Sequence, residues 1–205
     1  MSRFTGPRLK VMRALGIDLP GLSRKSIEAR PNPPGQHGGR GLRRKKSDFG
    51  VKLMEKQKLR FNYGLSERQL RRLMIDARKG KAPTGETLLQ LLERRLDNVV
   101  FRAGFAPTIA AARQLVSHRH LQLNGKLVSI PSIRLRVGDE ISLKPSSAKL
   151  PIVIETLQDM PLMRPEWLSW DEQNQVVRVA HLPALEDVPF PVEVQQVVEY
   201  YANRL

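Results

Sequence analysis

Cysteine is absent from this 205-residue chain. That excludes disulfides, thiolate nucleophiles and zinc sites built on cysteine, and it fits a reducing compartment. Aromatic residues are scarce, at 5% against 40% hydrophobic residues overall, so any core must be largely aliphatic. No stretch approaches the roughly 18 uncharged apolar residues of a membrane span. The charges at Arg3, Arg8, Lys10 and Arg13 are not followed by an apolar run of signal-peptide length. A soluble, intracellular protein is expected. Enzyme signatures are missing as well: there is no Gly-x-Ser-x-Gly elbow, no phosphate loop ending Gly-Lys-Ser/Thr and no His-Glu-x-x-His helix. The neighbouring carboxylates Asp139 and Glu140 fall at a turn, where Asp139 is explained by turn chemistry. On a strand the two would point to opposite faces, which is wrong for a cooperating acid and base.

Acidic residues are in short supply too. Asp and Glu number 20 against 35 Lys and Arg, leaving a net charge of +15 and a pI near 10.8. A surplus of this size speaks of a polyanionic partner, nucleic acid first and an anionic membrane surface second. The charge is unevenly spread. Residues 1–60 carry 16 basic and 4 acidic side chains, and residues 1–150 together hold +21, whereas residues 151–205 hold −6. The phosphate-binding surface must therefore lie within 1–150. The acidic end packs beside the basic part or faces another protein.

Residues 1–46 have little apolar periodicity and are rich in Pro, Gly, Arg and Lys. The run from Pro31 to Gly41 is unfit for a helix interior, and Arg43-Arg44-Lys45-Lys46 follows it. This extension is either a solvated tail or an arm that threads along RNA and orders on binding, and the charge favours the arm. Helical spacing begins at Ser47 and breaks at Asn62-Tyr63-Gly64. Ser66 with Gln69 makes a capping box for a helix bearing Leu70, Leu73, Met74 and Ala77. A third helix is expected from Thr84 or Thr87 through Val100, and Thr108 caps another carrying Ile109, Ala112, Leu115 and Val116. Leu121 and Leu123, the Asn124-Gly125 turn and Leu127 spell a hairpin. Ile133, Leu135 and Val137 alternate with Arg134 and Arg136 as a further strand, and Ile141 with Leu143 forms another. Ile152 to Ile154 and Val176 to Val179 are strand-like, separated by a loop from Met160 to Trp170, and Val192 to Tyr201 suits a final helix.

Two helices packed on a small twisted antiparallel sheet would thus occupy residues 91–145. On that module Arg94, Arg95, Arg113, His118, Arg119, His120, Lys126, Arg134 and Arg136 would form one basic ridge drawn from several elements. The alternative is that these arginines merely solubilise the surface. Arginine suits the ridge because its planar fork binds phosphate bidentately and stacks on bases. Asp97 could hold an arginine, such as Arg113, in a fixed pose, or be an ordinary helix-surface acid. His118 and His120 could share a face, but no Cys, Asp or Glu completes a metal site, and a contact to phosphate or a 2′-hydroxyl is the more natural reading.

The run Arg95-Leu96-Asp97-Asn98-Val99-Val100-Phe101-Arg102, then Gly104-Phe105-Ala106-Pro107-Thr108, Ala112 to His118, Leu123-Asn124-Gly125-Lys126 and Ile130-Pro131-Ser132, resembles the small RNA-binding domain of the ribosomal protein S-four family. Modules of this kind also occur on pseudouridine synthases, tyrosyl-tRNA synthetases and a heat-shock ribosome-binding protein. The flanks Thr5-Gly6-Pro7-Arg8, Pro34 to Gly38, Glu55 to Gly64, Gly85 to Glu93 and Val197 to Tyr201 resemble the ribosomal protein itself. The cysteine cluster of some members has no counterpart here, and residues 159–193 fit less well.

The resemblance implies a structural constituent of the small ribosomal subunit and no enzyme. Such a protein is a primary binder of ribosomal RNA that nucleates assembly of the subunit body and contributes to translational accuracy. The partners it implies are small-subunit ribosomal RNA, neighbouring proteins of the S-five and S-twelve types, and messenger RNA near its entry. It implies no cofactor or metal, and places the protein on cytoplasmic or organellar ribosomes. The expected class is α+β. A basic extension (1–46) precedes a helical domain (47–90) completed by the C-terminal helix (190–205), and the RNA-binding domain with its acidic end covers 91–189. Candidate RNA contacts in the extension are Arg3, Arg8, Lys10, Arg13, Arg24, Lys25, His37, Arg40, Arg43, Arg44, Lys45 and Lys46. Those in the helical domain are Lys56, Lys58, Arg60, Tyr63, Arg68, Arg71 and Arg72. The module adds Arg95, Thr108, Arg113, Gln114, Ser117, His118, Arg119, His120, Asn124, Lys126 and Arg134. Alanine at Arg95 or Arg113 is expected to weaken RNA binding with little loss of stability. The rivals are an RNA-modifying enzyme, for which the 55 residues after 150 are too few for a catalytic domain, and a non-ribosomal binding factor, which would lack the arm and helical domain.

Overall fold

The computed structural model describes residues 4–36, 38, 46–202 and 204. Contacts divide the chain into two compact units, one of residues 1–88 with 190–205 and the other of residues 89–189. No helix among the described residues is long and apolar enough to cross a membrane.

In the first unit, α1 (Arg8–Leu15) ends on Gly16, whose φ of +71° gives the left-handed C-cap that glycine adopts without strain. It packs on α2 (Asp48–Asn62). The capping box of α3 (Glu67–Arg78) is present, with Ser66 Oγ accepting from Gln69 N at 3.3 Å and Ser66 N donating to Gln69 Oε1 at 3.0 Å. The terminal helix α8 (Val194–Ala202) packs on α2 and α3. Met12, Leu19, Leu59, Tyr63, Leu70, Met74, Leu88, Val197 and Tyr201 are buried in this unit's core. Residues 1–46 are thus not uniformly an extension: Met12, Leu19 and Leu22 are sparse on a periodicity scale, yet they anchor α1 and the following loop to the helical core.

The second unit holds α5 (Leu96–Arg102), α6 (Ile109–Ser117), α7 (Pro151–Gln158) and an antiparallel sheet of five strands in the order β2-β1-β3-β5-β4. The strands are β1 (Leu121–Leu123), β2 (Lys126–Val128), β3 (Glu140–Leu143), β4 (Leu168–Asp171) and β5 (Val176–Val179). β1 and β2 pair as Leu121 with Val128 and Leu123 with Lys126, closed by Asn124 at φ +50° and Gly125 at φ +76°, the backbone a two-residue primed turn needs. Leu96, Val100, Phe105, Ile109, Val116, Leu121, Ile141, Val177 and Trp167 are buried in its core. The class is α+β.

Four expected elements differ. The helix from Thr84 does not run to Val100. It ends as α4 (Thr84–Glu93), and Arg95 turns extended at φ −68° and ψ 138° before α5 starts. The break is held from outside the helix: Leu96 N donates to Ile133 O at 2.9 Å, Asp97 N to Pro131 O at 3.1 Å and Leu135 N to Arg94 O at 2.9 Å. Residues 133–137 are correspondingly not a sheet strand. Their contribution is a single antiparallel bridge between Arg95 and Arg134, with Leu135 buried beneath. The run at Ile152 to Ile154 is helical, since Pro151 sits in the first turn of α7, where its missing N–H costs nothing, and Val153 and Thr156 face inward three residues apart. Finally, the loop expected up to Trp170 ends earlier, because Leu168 begins the edge strand β4.

Candidate nucleic-acid interface

Asp97 organises the start of α5. Its carboxylate is fully buried and accepts from Arg95 Nε at 3.0 Å and Arg95 Nη2 at 2.8 Å. Arg113 reaches it from α6, with Nε at 3.0 Å and Nη2 at 2.7 Å, and Asn98 N donates at 3.0 Å. One carboxylate therefore fastens two guanidiniums and couples the two helices. The adjoining Asn98–Glu93 network is equally buried, with Asn98 Nδ2 donating to Glu93 Oε2 at 2.8 Å and to Glu93 O at 2.9 Å, and Arg102 Nη2 donates to Asp187 O at 2.8 Å nearer the surface.

Around this fixed base lie further polar groups, most of them exposed. Thr108 Oγ1 accepts from Ala111 N at 3.3 Å and caps α6. Gln114, Ser117 and His118 are exposed along the end of α6, and Arg119, exposed as well, takes a positive φ of 59° that turns the chain into β1. His120 is half-buried with Nδ1 2.9 Å from Ser147 Oγ. Its ring centroid lies 6.1 Å from that of His118, and no group of metal-ligating side chains occurs among the described residues. Asn124 is exposed at the turn, where its Nδ2 donates to Asp139 Oδ1 at 2.9 Å and its Oδ1 accepts from Glu140 N at 2.9 Å. The turn is thereby tied to the strand beside it. Lys126 and Arg134 are exposed. Burial and the charges of Arg134 and Arg136 hold the Arg94 guanidinium below the ordinary arginine range.

In the first unit, α3 turns Leu70, Leu73, Met74 and Ala77 inward and leaves Arg68, Arg71, Arg72 and Arg78 on its exposed face. That spacing makes a stripe able to follow a phosphate backbone. Arg8, Lys10, Arg24, Lys25 and Lys46 are exposed. Arg8 Nη1 also donates to Leu22 O at 3.3 Å, and the half-buried Arg13 donates from Nε to Asn32 O at 2.9 Å.

Several candidate contacts are turned inward instead. Lys56 is 3% exposed and bonded to Glu67 Oε2 at 2.8 Å, and Tyr63 is 1% exposed in the core. Lys58 pairs with Glu55 at 2.6 Å, and Arg60 donates to Gln57 Oε1 at 3.3 Å while lying over Phe61. Arg95 and Thr108 are buried and act on the protein itself. The expectation that Arg95→Ala spares stability is therefore corrected, since that guanidinium is committed to a buried carboxylate. Arg3, His37, Arg40, Arg43, Arg44 and Lys45 lie outside the described residues. Exposed Arg78, Lys79 and Lys144 were missed as candidates, and Arg136, expected in the basic ridge, is exposed as well. Helical spacing from Arg71 would have found Arg78.

Glu67, on the surface of the first unit, ties together the buried Tyr201 and Lys56. Tyr201 Oη donates to Glu67 Oε1 at 2.6 Å, on the carboxylate that also takes Lys56. Burial would raise the Glu67 pKa, but the hydrogen bonds from Lys56 and Tyr201 outweigh it and hold the carboxyl below its usual range. Burial and then Glu67 push the Tyr201 phenol well above its ordinary value. These groups weld α2, α3 and α8 together.

Residues 3–93 match the family model described as Ribosomal protein S4/S9 N-terminal domain, and residues 94–141 match the S4 domain. The chain is 85% identical to the small ribosomal subunit protein uS4 of Methylobacillus flagellatus and 76% identical to uS4B of Nitrosomonas europaea, each over all of both chains. It is also similar to uS4 of Bacteroides thetaiotaomicron, at 43% identity over 99% of this chain and all of that one.

Proposed function

The chain belongs to the small ribosomal subunit protein uS4 family, whose members are structural ribosomal proteins and not enzymes, and from that premise we propose how it holds its RNA. It is a structural constituent of the small ribosomal subunit, bound to ribosomal RNA through its S-four domain. The exposed face of α3 (Arg68, Arg71, Arg72) and the α6 end with its hairpin (Gln114, Ser117, His118, Arg119, Asn124, Lys126, Arg134) are the contact surfaces. Arg8, Lys10, Arg13, Arg24, Lys25 and Lys46 extend them over the N-terminal segment. The single observation that carries this reading is the buried Asp97, which orders Arg95 and Arg113 and so fixes the base of the surface before RNA arrives. Arg95 and Thr108 support that surface from within, and in the first unit Lys56 holds α3 through Glu67.

Early binding of ribosomal RNA by a preorganised surface suits a protein that nucleates assembly of the subunit body. Contacts with proteins of the S-five and S-twelve types, proximity to entering messenger RNA and an influence on decoding accuracy belong to the same proposal. Its test is the salt dependence of binding to purified small-subunit ribosomal RNA. Each neutralised phosphate contributes about 0.7–0.9 to the slope of log K against log salt. A steep slope and retention on small subunits after a high-salt wash are expected. An affinity indifferent to salt would refute phosphate neutralisation, and loss in the wash would mark a dissociable factor.

A further inference from the structure

Arg94, Arg134 and Arg136 are gathered by backbone pairing and not by helix periodicity. Leu135 N donates to Arg94 O at 2.9 Å, Arg94 Nε donates to Leu135 O at 2.7 Å, and Arg95 bridges Arg134 in the antiparallel sense. The Arg94 side chain is pinned, half-buried, against the backbone of Leu135, the residue between the exposed Arg134 and Arg136. Asp139 is the acid within electrostatic reach of Arg94. Its oxygens are already engaged, accepting from Asn124 Nδ2 at 2.9 Å and Arg136 N at 2.7 Å. Arg94 thus feels two neighbouring cations, Arg134 and Arg136, against one carboxylate that is already holding a turn. Like charges confined in this way oppose one another in the free protein, and an approaching polyanion turns that repulsion into attraction.

Resting on the ribosomal-RNA reading above, we infer that Arg94, Arg134 and Arg136 form a clamp for consecutive phosphates of an RNA strand passing the Asn124-Gly125 hairpin. Arg94 is the fixed member, its fork oriented by the bond to Leu135 O, so little side-chain freedom is lost when a phosphate arrives. Arg134 and Arg136 close from the exposed side. Asp139 acts as the hinge pin: through Asn124 it couples the hairpin turn to the clamp, and through Arg136 N it sets the path of the segment that carries two of the three arginines. A base edge would demand one precisely aimed fork, whereas three cations brought side by side from two segments suit the repeating charge of a backbone.

The test uses the full chain and purified small-subunit ribosomal RNA, with binding measured across monovalent salt. The doubly substituted R134Q/R136Q protein should lose about 1.4–1.8 from the magnitude of its salt slope, and R94Q about 0.7–0.9. The control R178Q, an exposed arginine on β5, should leave the slope unchanged. Without RNA, the urea midpoint of R134Q/R136Q should be unchanged or higher, because relieving like-charge repulsion stabilises the free fold. Weaker binding with an equal or higher midpoint is the signature of a clamp. An unchanged slope for R134Q/R136Q beside a steep wild-type slope overturns the clamp and leaves the ribosomal-RNA reading intact. An equal loss in R178Q overturns it in favour of net charge alone, and a lowered midpoint overturns it by making the arginines structural. A wild-type chain without salt-dependent binding overturns the underlying reading instead.

Discussion

Replacing Asp97 by asparagine removes the negative charge from a position with no exposed surface, yet keeps the side-chain volume. Four guanidinium bonds, at 3.0, 2.8, 3.0 and 2.7 Å, converge on that carboxylate. An amide offers one acceptor oxygen and turns an NH2 donor toward the second set of donors. Arg113, whose side chain is 16% exposed, can swing toward water, but Arg95, at 6%, cannot. The loss should therefore approach the cost of breaking a buried pair by removing one partner, about 3–5 kcal/mol. Against a typical domain stability of about 5–15 kcal/mol that is a large fraction. With urea slopes of about 1–3 kcal/mol per molar, the transition of the second unit should move down by 1 M or more. Arg113→Ala should cost less than Arg95→Ala, since the carboxylate then keeps Arg95 and the Asn98 amide. High salt should not rescue Asp97→Asn, because a buried pair is scarcely screened. The assay is urea unfolding followed by circular dichroism, with hydrogen exchange at Asn98 and Val99 reporting locally. A change below about 1 kcal/mol, or a larger cost for Arg113→Ala than for Arg95→Ala, would refute the reasoning.

The Glu67 carboxyl, held below its usual pKa, adds stability that is present above the unfolded carboxyl pKa and lost as pH falls through the folded one. The first unit should therefore weaken below about pH 4.3, and Tyr201→Phe should blunt that dependence in pH-series thermal melts; identical profiles for the two proteins would contradict it. The raised Tyr201 phenol gives the opposite sign at the alkaline end, with stability lost as pH climbs beyond about 10 in wild type and not in Tyr201→Phe. Gly85→Ala places a methyl against Val194 Cγ1 in the first unit. It should cost about 1–3 kcal/mol by overpacking, and an unchanged melting temperature would show that α8 gives way freely.

Much of the fold was legible locally. Ser66 with Gln69, Thr108, and Asn124 with Gly125 each act through groups a few residues away, so the capped helices and the hairpin stand where the sequence places them. The charge division and the family motifs pointed to RNA for the same reason, since composition and short-range order do not depend on folding. Tertiary structure decided the rest. The helix break at Arg94-Arg95 carries no Gly or Pro and exists because residues 131–135 supply backbone partners from outside. Those same bonds keep Ile133 to Val137 out of the sheet despite its alternation. Burial likewise sorted the basic residues. Lys56 and Arg95 look no different from Arg72 or Arg134 in sequence, but Glu67 and Asp97 claim the first two inside the protein, and only packing determines which cations remain to meet a phosphate.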